Sequence, residues 1–120
     1  MGTFSTEIAI GGLSRERWTT VDALVDTGAS IVSAPASLLR ELGVEPVRKQ
    51  NFRFADGERR EMEVGQVWVR AGDRETMTWV LFNEEESPAL LGAHALEGMF
   101  LGVDPVGLRL VPVDGWLARV

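Results

Sequence analysis

Apolar residues in this 120-residue chain come in short runs, and a glycine or a turn-forming pair interrupts each before a long helix can complete. Runs of four to eight residues rich in β-branched and aromatic side chains, bounded by such breakers, read as strands. Phe4, Ile8 and Ile10 begin a first predicted strand, broken by Gly11-Gly12, and Trp18 to Val25 predicts a second. Asn51 to Ala55 and Glu61 to Val69 flank Asp56-Gly57, a signal for a two-residue hairpin. Gly65 in the second arm predicts a bulge or a bend. Thr76 to Phe82 follows the turn Ala71-Gly72-Asp73, and Leu108 to Val113 precedes a second Asp-Gly turn at Asp114-Gly115. Helical spacing is brief. Pro35 to Leu42 puts Leu38, Leu39 and Leu42 on one stripe, with Pro35 in the first turn and Gly43 as the stop. Ala93 to Glu97 supplies one or two more turns before Gly98. The expectation is an all-β domain spanning 1–120 with one or two short helices.

The chain also repeats itself. Ile31 to Val47 matches Leu90 to Val106 at a constant offset of 59 positions, with seven of seventeen residues identical, among them Leu42/Leu101, Gly43/Gly102 and Pro46/Pro105. An ungapped match of this kind predicts an internally duplicated domain. The same offset sets Asp26-Thr27-Gly28 opposite Glu85-Glu86-Ser87, so only the first copy carries a special loop.

Charge and composition remove several functions. Twelve basic against eighteen acidic residues leave a net charge of −6, and no basic run exceeds Arg59-Arg60. Neutralising a nucleic-acid backbone needs clustered positive charge, so a nucleic-acid partner is not expected. No stretch reaches the roughly 18 apolar residues of a membrane span, and no membrane partner is expected. With no cysteine, thiolate metal sites, disulfides and thiol nucleophiles are excluded. Met1 to Glu7 shows neither the basic nor the apolar region of a secretory signal, and the chain reads as cytoplasmic.

Chemistry concentrates at Ala23-Leu24-Val25-Asp26-Thr27-Gly28-Ala29-Ser30. An apolar strand ends in a carboxylate, then a hydroxyl, then a residue free in φ. Alone, the triplet also describes a plain turn in which Asp26 caps backbone amides. Its context is more specific: Leu90-Leu91-Gly92 and a short helix answer it downstream.

In these features the sequence resembles the retroviral-type, single-lobe aspartic proteases (retropepsin-like). That family carries Asp-Thr-Gly-Ala/Ser-Ser/Asp/Thr at the end of an apolar strand, here Asp26, Thr27, Gly28, Ala29 and Ser30. It also carries two apolar residues and a glycine before a short helix, here Leu90, Leu91 and Gly92. Between them lies a flap hairpin, whose place is taken by Phe52 to Val64 with its tip at Ala55, Asp56 and Gly57. The resemblance spans roughly residues 7 to 112. It implies a single-lobe acid-protease barrel and an aspartic endopeptidase acting on extended peptides, without metal or cofactor. The tip bears Asp56 and Glu58 instead of the family's glycine cluster, so flap contacts do not carry over.

Peptide hydrolysis by acid–base chemistry needs a base for water and an acid for the amide nitrogen. Two carboxylates about 3 Å apart supply both, because like charges in contact share a proton. One chain offers Asp26 alone, and the family completes the pair by homodimerisation. By resemblance, Thr27 then bonds across the two-fold axis, Gly28 lets the backbone approach the peptide, and Ser30 donates to the outer carboxylate oxygen, implying an acidic optimum.

Other residues read more simply. Asp22, four before Asp26, is a solvated strand carboxylate; His94 is structural; Glu84-Glu85-Glu86 is a solvated turn. Trp18, Trp68, Trp79 and Trp116 are expected as core or interface anchors. Trp116-Leu117-Ala118 reads as an apolar strand without a mate, suited to pairing across a dimer axis. The rival to a protease is the same fold used as a non-catalytic dimerisation or peptide-binding module.

Overall fold

A computed structural model describes residues 4–115 and 117. Nine strands and two short helices follow in the order β1 (Phe4–Gly11), β2 (Trp18–Val25), β3 (Val32–Pro35), α1 (Ala36–Glu41), β4 (Arg48–Arg53), β5 (Arg59–Ala71), β6 (Arg74–Asn83), β7 (Ala89–Leu91), α2 (Ala93–Met99), β8 (Leu101–Asp104) and β9 (Arg109–Pro112). Six strands close a barrel in the order β1-β2-β7-β3-β6-β5, sealed by β1 against β5 at Ala9↔Arg70, Ile10↔Val69 and Gly11↔Trp68. Strand β4 pairs with β5 outside this closure, and β8 with β9 forms a separate hairpin. No helix among the described residues is long and apolar enough to cross a membrane.

Alternation in the sequence decides which side chains fill the barrel. Ile8 and Ile10 of β1, Ala23 and Val25 of β2, and Val67 and Val69 of β5 point inward and are buried. Val32 and Ala34 of β3, Val80 of β6 and Leu91 of β7 complete the interior. The α1 stripe contributes one fully buried side chain, Leu39, while Leu38 and Leu42 pack at the margin of the core. Helix α1 stops where expected: the Gly43 amide donates to the Arg40 carbonyl and the Val44 amide to that of Leu39, a left-handed cap.

An internal symmetry relates the parallel strand pairs of the barrel, at an offset of 57 positions. The parallel pairs Ala23↔Ala89, Leu24↔Leu90 and Val25↔Leu91 map, one strand of each, onto Val80↔Val32, Leu81↔Ser33 and Phe82↔Ala34. The pair Ser33↔Leu90 maps onto itself and so lies on the axis. Ala36 and Ala93 both begin helices. Gly43 at φ 79° and Phe100 at φ 54° are the left-handed residues that follow them. The duplication expected from sequence is present, but the offset of 59 is wrong for it. Leu42-Gly43 terminates a helix, whereas Leu101-Gly102 opens β8, so identical letters serve different roles. On the structural offset the counterpart of Asp26 is Asn83, not Glu85.

Several local expectations are corrected as well. The turn at Asp56-Gly57 is not a two-residue loop. The Gly57 amide donates to the Phe54 carbonyl at 2.9 Å, and the Phe54 amide to that of Glu58 at 2.8 Å. Ala55 and Asp56 therefore sit at the centre of the turn, and Gly57 takes the left-handed position after it, at φ 85°. Gly65 makes no bulge, since the β5–β6 register runs unbroken through it; the Glu45 carbonyl and the Phe82 ring crowd the space a side chain would fill. Helix α2 does not end at Gly98 but continues to Met99, with Gly98 against Thr76 of β6. Val113 to Gly115 forms no turn. Trp18, Trp68 and Trp79 are half-buried on the outer surface, not in the core. Arginines lie over all three, with Arg15 4.3 Å from Trp68, Arg70 4.1 Å from Trp18 and Arg48 4.9 Å from Trp79. Trp116 and the proposed pairing of Trp116-Leu117-Ala118 lie outside the described residues, apart from Leu117, which is exposed.

Two substitutions probe this core in opposite directions. Leu39→Ala removes a fully buried side chain and is expected to lower the unfolding free energy by about 2–5 kcal/mol. Thr78, buried on β6, leaves its hydroxyl without a partner. Thr78→Val is expected to raise stability by about 1–2 kcal/mol. Denaturant titration of the three proteins reads both changes.

Candidate active site

Val25, the last residue of β2, is buried and pairs with Leu91; Asp26 is the first residue beyond the strand. Its amide continues the ladder by donating to the Leu91 carbonyl at 3.0 Å. The chain then folds back, with the Ala29 amide donating to the Asp26 carbonyl at 3.1 Å. The Asp26 carboxylate accepts the Gly28 amide on Oδ1 at 2.9 Å. That single bond orients the carboxylate and leaves its second oxygen free of partners within the described residues. Asp26 is half-buried, and Thr27, Gly28 and Ser30 are exposed.

Helix α2 holds the far side of this loop. Its first amides have no partner inside the helix, and two of them reach the loop instead. The Ala93 amide donates to the Ala29 carbonyl at 2.8 Å, and the His94 amide to that of Ser30 at 3.1 Å. Gly92 makes this approach feasible. A Cβ there would stand 2.5 Å from the Ile31 carbonyl oxygen and 2.8 Å from that of Ala29. The three residues of Leu90-Leu91-Gly92 thus divide the task. Leu90 faces the cleft, Leu91 fills the core and receives Asp26, and Gly92 leaves room for the loop. His94 contributes its backbone, while its side chain is exposed.

The Asp26 loop forms one wall of a cleft of about 610 Å³. Ile31, Leu81 and Leu90 line it from the barrel, and Phe52, Phe54 and Ala55 from the β4–β5 hairpin opposite. Among the described residues Asp26 is the only carboxylate in its lining. Of the expected hairpin-tip residues, Ala55 reaches the cleft, whereas Asp56 and Gly57 do not line it. Asp56 instead accepts the Glu58 amide at 2.8 Å and lies 3.9 Å from Arg60. Arg60 in turn stacks over Phe54, 3.8 Å from the ring centre. The Ser30 hydroxyl makes no bond to the Asp26 carboxylate, whose one partner among the described residues is the Gly28 amide on Oδ1. Two cleft residues were missed in the sequence, Ser33 and Asn83. Asn83 Nδ2 donates to Ser33 Oγ at 2.9 Å. A strict helical or strand pattern gives such polar residues no distinguishing mark.

Glu85 is more than a solvated turn. Its carboxylate accepts both the amide and the hydroxyl of Ser37, in the first turn of α1. These bonds, the hydroxyl first, hold the Glu85 carboxyl below its ordinary value of 4.5. A carboxyl that binds its proton less readily when folded favours the folded state once it is ionised. Its contribution is present above pH 4.5 and is lost as pH falls through the lower folded value. Glu85→Gln is therefore expected to reduce stability at neutral pH and to flatten the acid limb of a stability–pH curve. Gly92→Ala should displace the Ala29–Ile31 backbone, at a cost of about 1–3 kcal/mol. Amide resonances of Gly28 to Ser30 should shift while those of the distant β8–β9 hairpin stay in place.

Comparisons with known proteins agree with this geometry. The family described as "gag-polyprotein putative aspartyl protease" matches residues 17–98, more than half of the chain. No curated protein matches. Among solved structures, the EIAV protease in complex with the inhibitor HBY-793 superposes with a TM-score of 0.59 at 20% identity, covering 92% of this chain and 93% of that one. A retropepsin-like aspartic protease from Rickettsia conorii gives 0.51 at 20% identity, over 86% and 88%. A protein of unknown function from Legionella pneumophila, Lpg0085, gives 0.53 at 16% identity, over 92% and 95%. At such identities the structural likeness speaks for the fold alone, a retropepsin-like single-lobe barrel. The match over residues 17–98 carries the rest: the chain belongs to the gag-polyprotein aspartyl protease family.

Proposed function

We propose that the protein is an aspartic endopeptidase whose site is completed by a second copy of the chain, each copy supplying Asp26. The observation that carries this reading is that Asp26 is the only acid lining its cleft among the described residues. A lone carboxylate cannot both activate water and protonate a leaving nitrogen in one step. The internal counterpart of Asp26 is Asn83, an amide that cannot ionise, so the chain has no second acid of its own in the symmetric place. Two-fold association supplies it through an isologous contact. Thr27, exposed beside Asp26, is suited to meet its equivalent there.

In the paired site one carboxylate is ionised and the other protonated. The ionised group takes a proton from water as the oxygen bonds to the peptide carbonyl carbon. The protonated group then gives its proton to the amide nitrogen as the C–N bond breaks, and the pair again holds one proton. An extended peptide lies between the Asp26 loop and the β4–β5 hairpin, with apolar side chains against Ile31, Leu81 and Leu90. No metal or cofactor takes part in this reading. A non-catalytic peptide-binding module remains as the alternative outcome of the tests.

Asp26→Asn should abolish cleavage of a denatured peptide mixture, read as new termini by mass spectrometry, while the fold persists. Residual activity above about one per cent of wild type would refute the assignment. The rate should be bell-shaped in pH, since only the singly protonated pair is competent. Specific activity should fall on dilution in step with dissociation in the ultracentrifuge, and excess Asp26→Asn chains should poison wild type through dead mixed dimers. A fully active monomer would remove the need for a partner.

A further inference from the structure

The cleft contains polar chemistry that peptide hydrolysis does not use. Ser33 lies in a row across three strands, paired with Leu81 of β6 and Leu90 of β7. It is only 5% exposed in an otherwise apolar wall. Its oxygen accepts from Asn83 Nδ2, and its own O–H finds no acceptor among the described residues. The orientation of Asn83 is fixed, because its Oδ1 accepts the Glu84 amide at 2.8 Å. Nδ2 therefore keeps a second N–H to offer.

Arg53 lines the same cleft from the β4–β5 hairpin. No carboxylate among the described residues lies within ion-pair distance of it, whereas Arg15, Arg40, Arg60, Arg70 and Arg109 all have one. Its one hydrogen bond, to the Gly57 carbonyl, is 3.5 Å long. The hairpin around it, residues 48–60, carries five basic residues and two acidic ones in a chain of net charge −6.

Apart from the Asp26 loop, the cleft offers Ser33 O–H, the second Asn83 N–H and the Arg53 guanidinium as donors, while Asn83 Oδ1 is engaged by the Glu84 amide. Three donors in one cleft, one of them cationic and none of them paired with an acid among the described residues, match a carboxylate on the bound peptide. Resting on the proteolytic reading above, we infer that this cleft selects peptides bearing an aspartate or glutamate at one fixed position beside the apolar residues that flank the cut. Ser33 and Asn83 read the carboxylate from the barrel wall, and Arg53 meets it from the hairpin. Buried donors left unpaired by an apolar side chain disfavour it, which gives the preference its force.

The full chain is incubated at about pH 6, where a free glutamate is ionised, with a denatured proteome digest, and the residues around each new terminus are read. Aspartate and glutamate should be enriched at one position. Matched peptides carrying glutamate or leucine there should differ in kcat/KM by about ten- to a hundredfold. Asn83→Leu and the exposed Arg53→Gln should each shrink that ratio about tenfold. Cleavage with no acidic preference, or a ratio that neither variant changes, overturns the inference and leaves proteolysis standing. If wild type cuts nothing, the proteolytic reading fails, and fluorescence anisotropy of the same two peptides on the protein decides the inference separately. Tighter binding of the glutamate peptide supports it, and equal binding overturns it.

Discussion

The parallel pairing of Val25 with Leu91 is the contact from which the site follows. These residues are 66 positions apart, and bringing them side by side closes a long loop at an entropic cost that local structure cannot offset. The buried faces of the strands supply the compensation, with Ala23, Val25, Ala89 and Leu91 all inside the barrel. Once the pair forms, the Asp26 amide meets the Leu91 carbonyl and Gly92 comes under the Ala29–Ile31 backbone. Packing in the core thus fixes the position of a half-buried carboxylate.

Asymmetry in a symmetric frame gives the barrel its chemistry. The same register recurs 57 positions on, yet the two loops at the ends of β2 and β6 differ. At the first, Asp26 turns its carboxylate onto the Gly28 amide and keeps one oxygen available. At the second, Asn83 engages the adjacent Glu84 amide and Ser33, and Glu85 crosses to cap α1. One half presents an ionisable group to the cleft, and the other ties its polar groups into the scaffold. The hairpin opposite is only loosely part of that scaffold: β4 pairs with β5 alone. Arg60 over Phe54 and Arg60 near Asp56 stiffen its tip.

Much of this was legible because it depends on local rules. The strand Trp18–Val25 matches its predicted bounds, and Pro35 and Gly43 frame α1 as expected. The loop at Asp26 and the Leu90-Leu91-Gly92 segment, both marked in the sequence by their motifs, lie in contact. What failed did so for identifiable reasons. The sequence repeat draws five of its seven identities from Leu-Gly-Val-x-Pro-Val, which begins with a helix stop in one half and with strand β8 in the other. True correspondence lies in which residues face inward, and buried positions tolerate exchange between Val, Ala, Leu and Phe without leaving a visible match. Trp18, Trp68 and Trp79 take no place in the core, because arginines stacked over the rings stabilise them on the outer face. Ser33 and Asn83 are separated by 50 positions, and only the β3–β6 pairing makes them neighbours.

The dependence of the loop on α2 also sets an order of events in biosynthesis. The carbonyls of Ala29 and Ser30 receive their donors from Ala93 and His94, residues added to the growing chain more than sixty positions later. While the first ninety residues are being made, the carboxylate exists but the frame that aims it does not. A nascent chain therefore lacks the framed loop until α2 has been added. Products truncated before α2 lack the donors to Ala29 and Ser30 altogether.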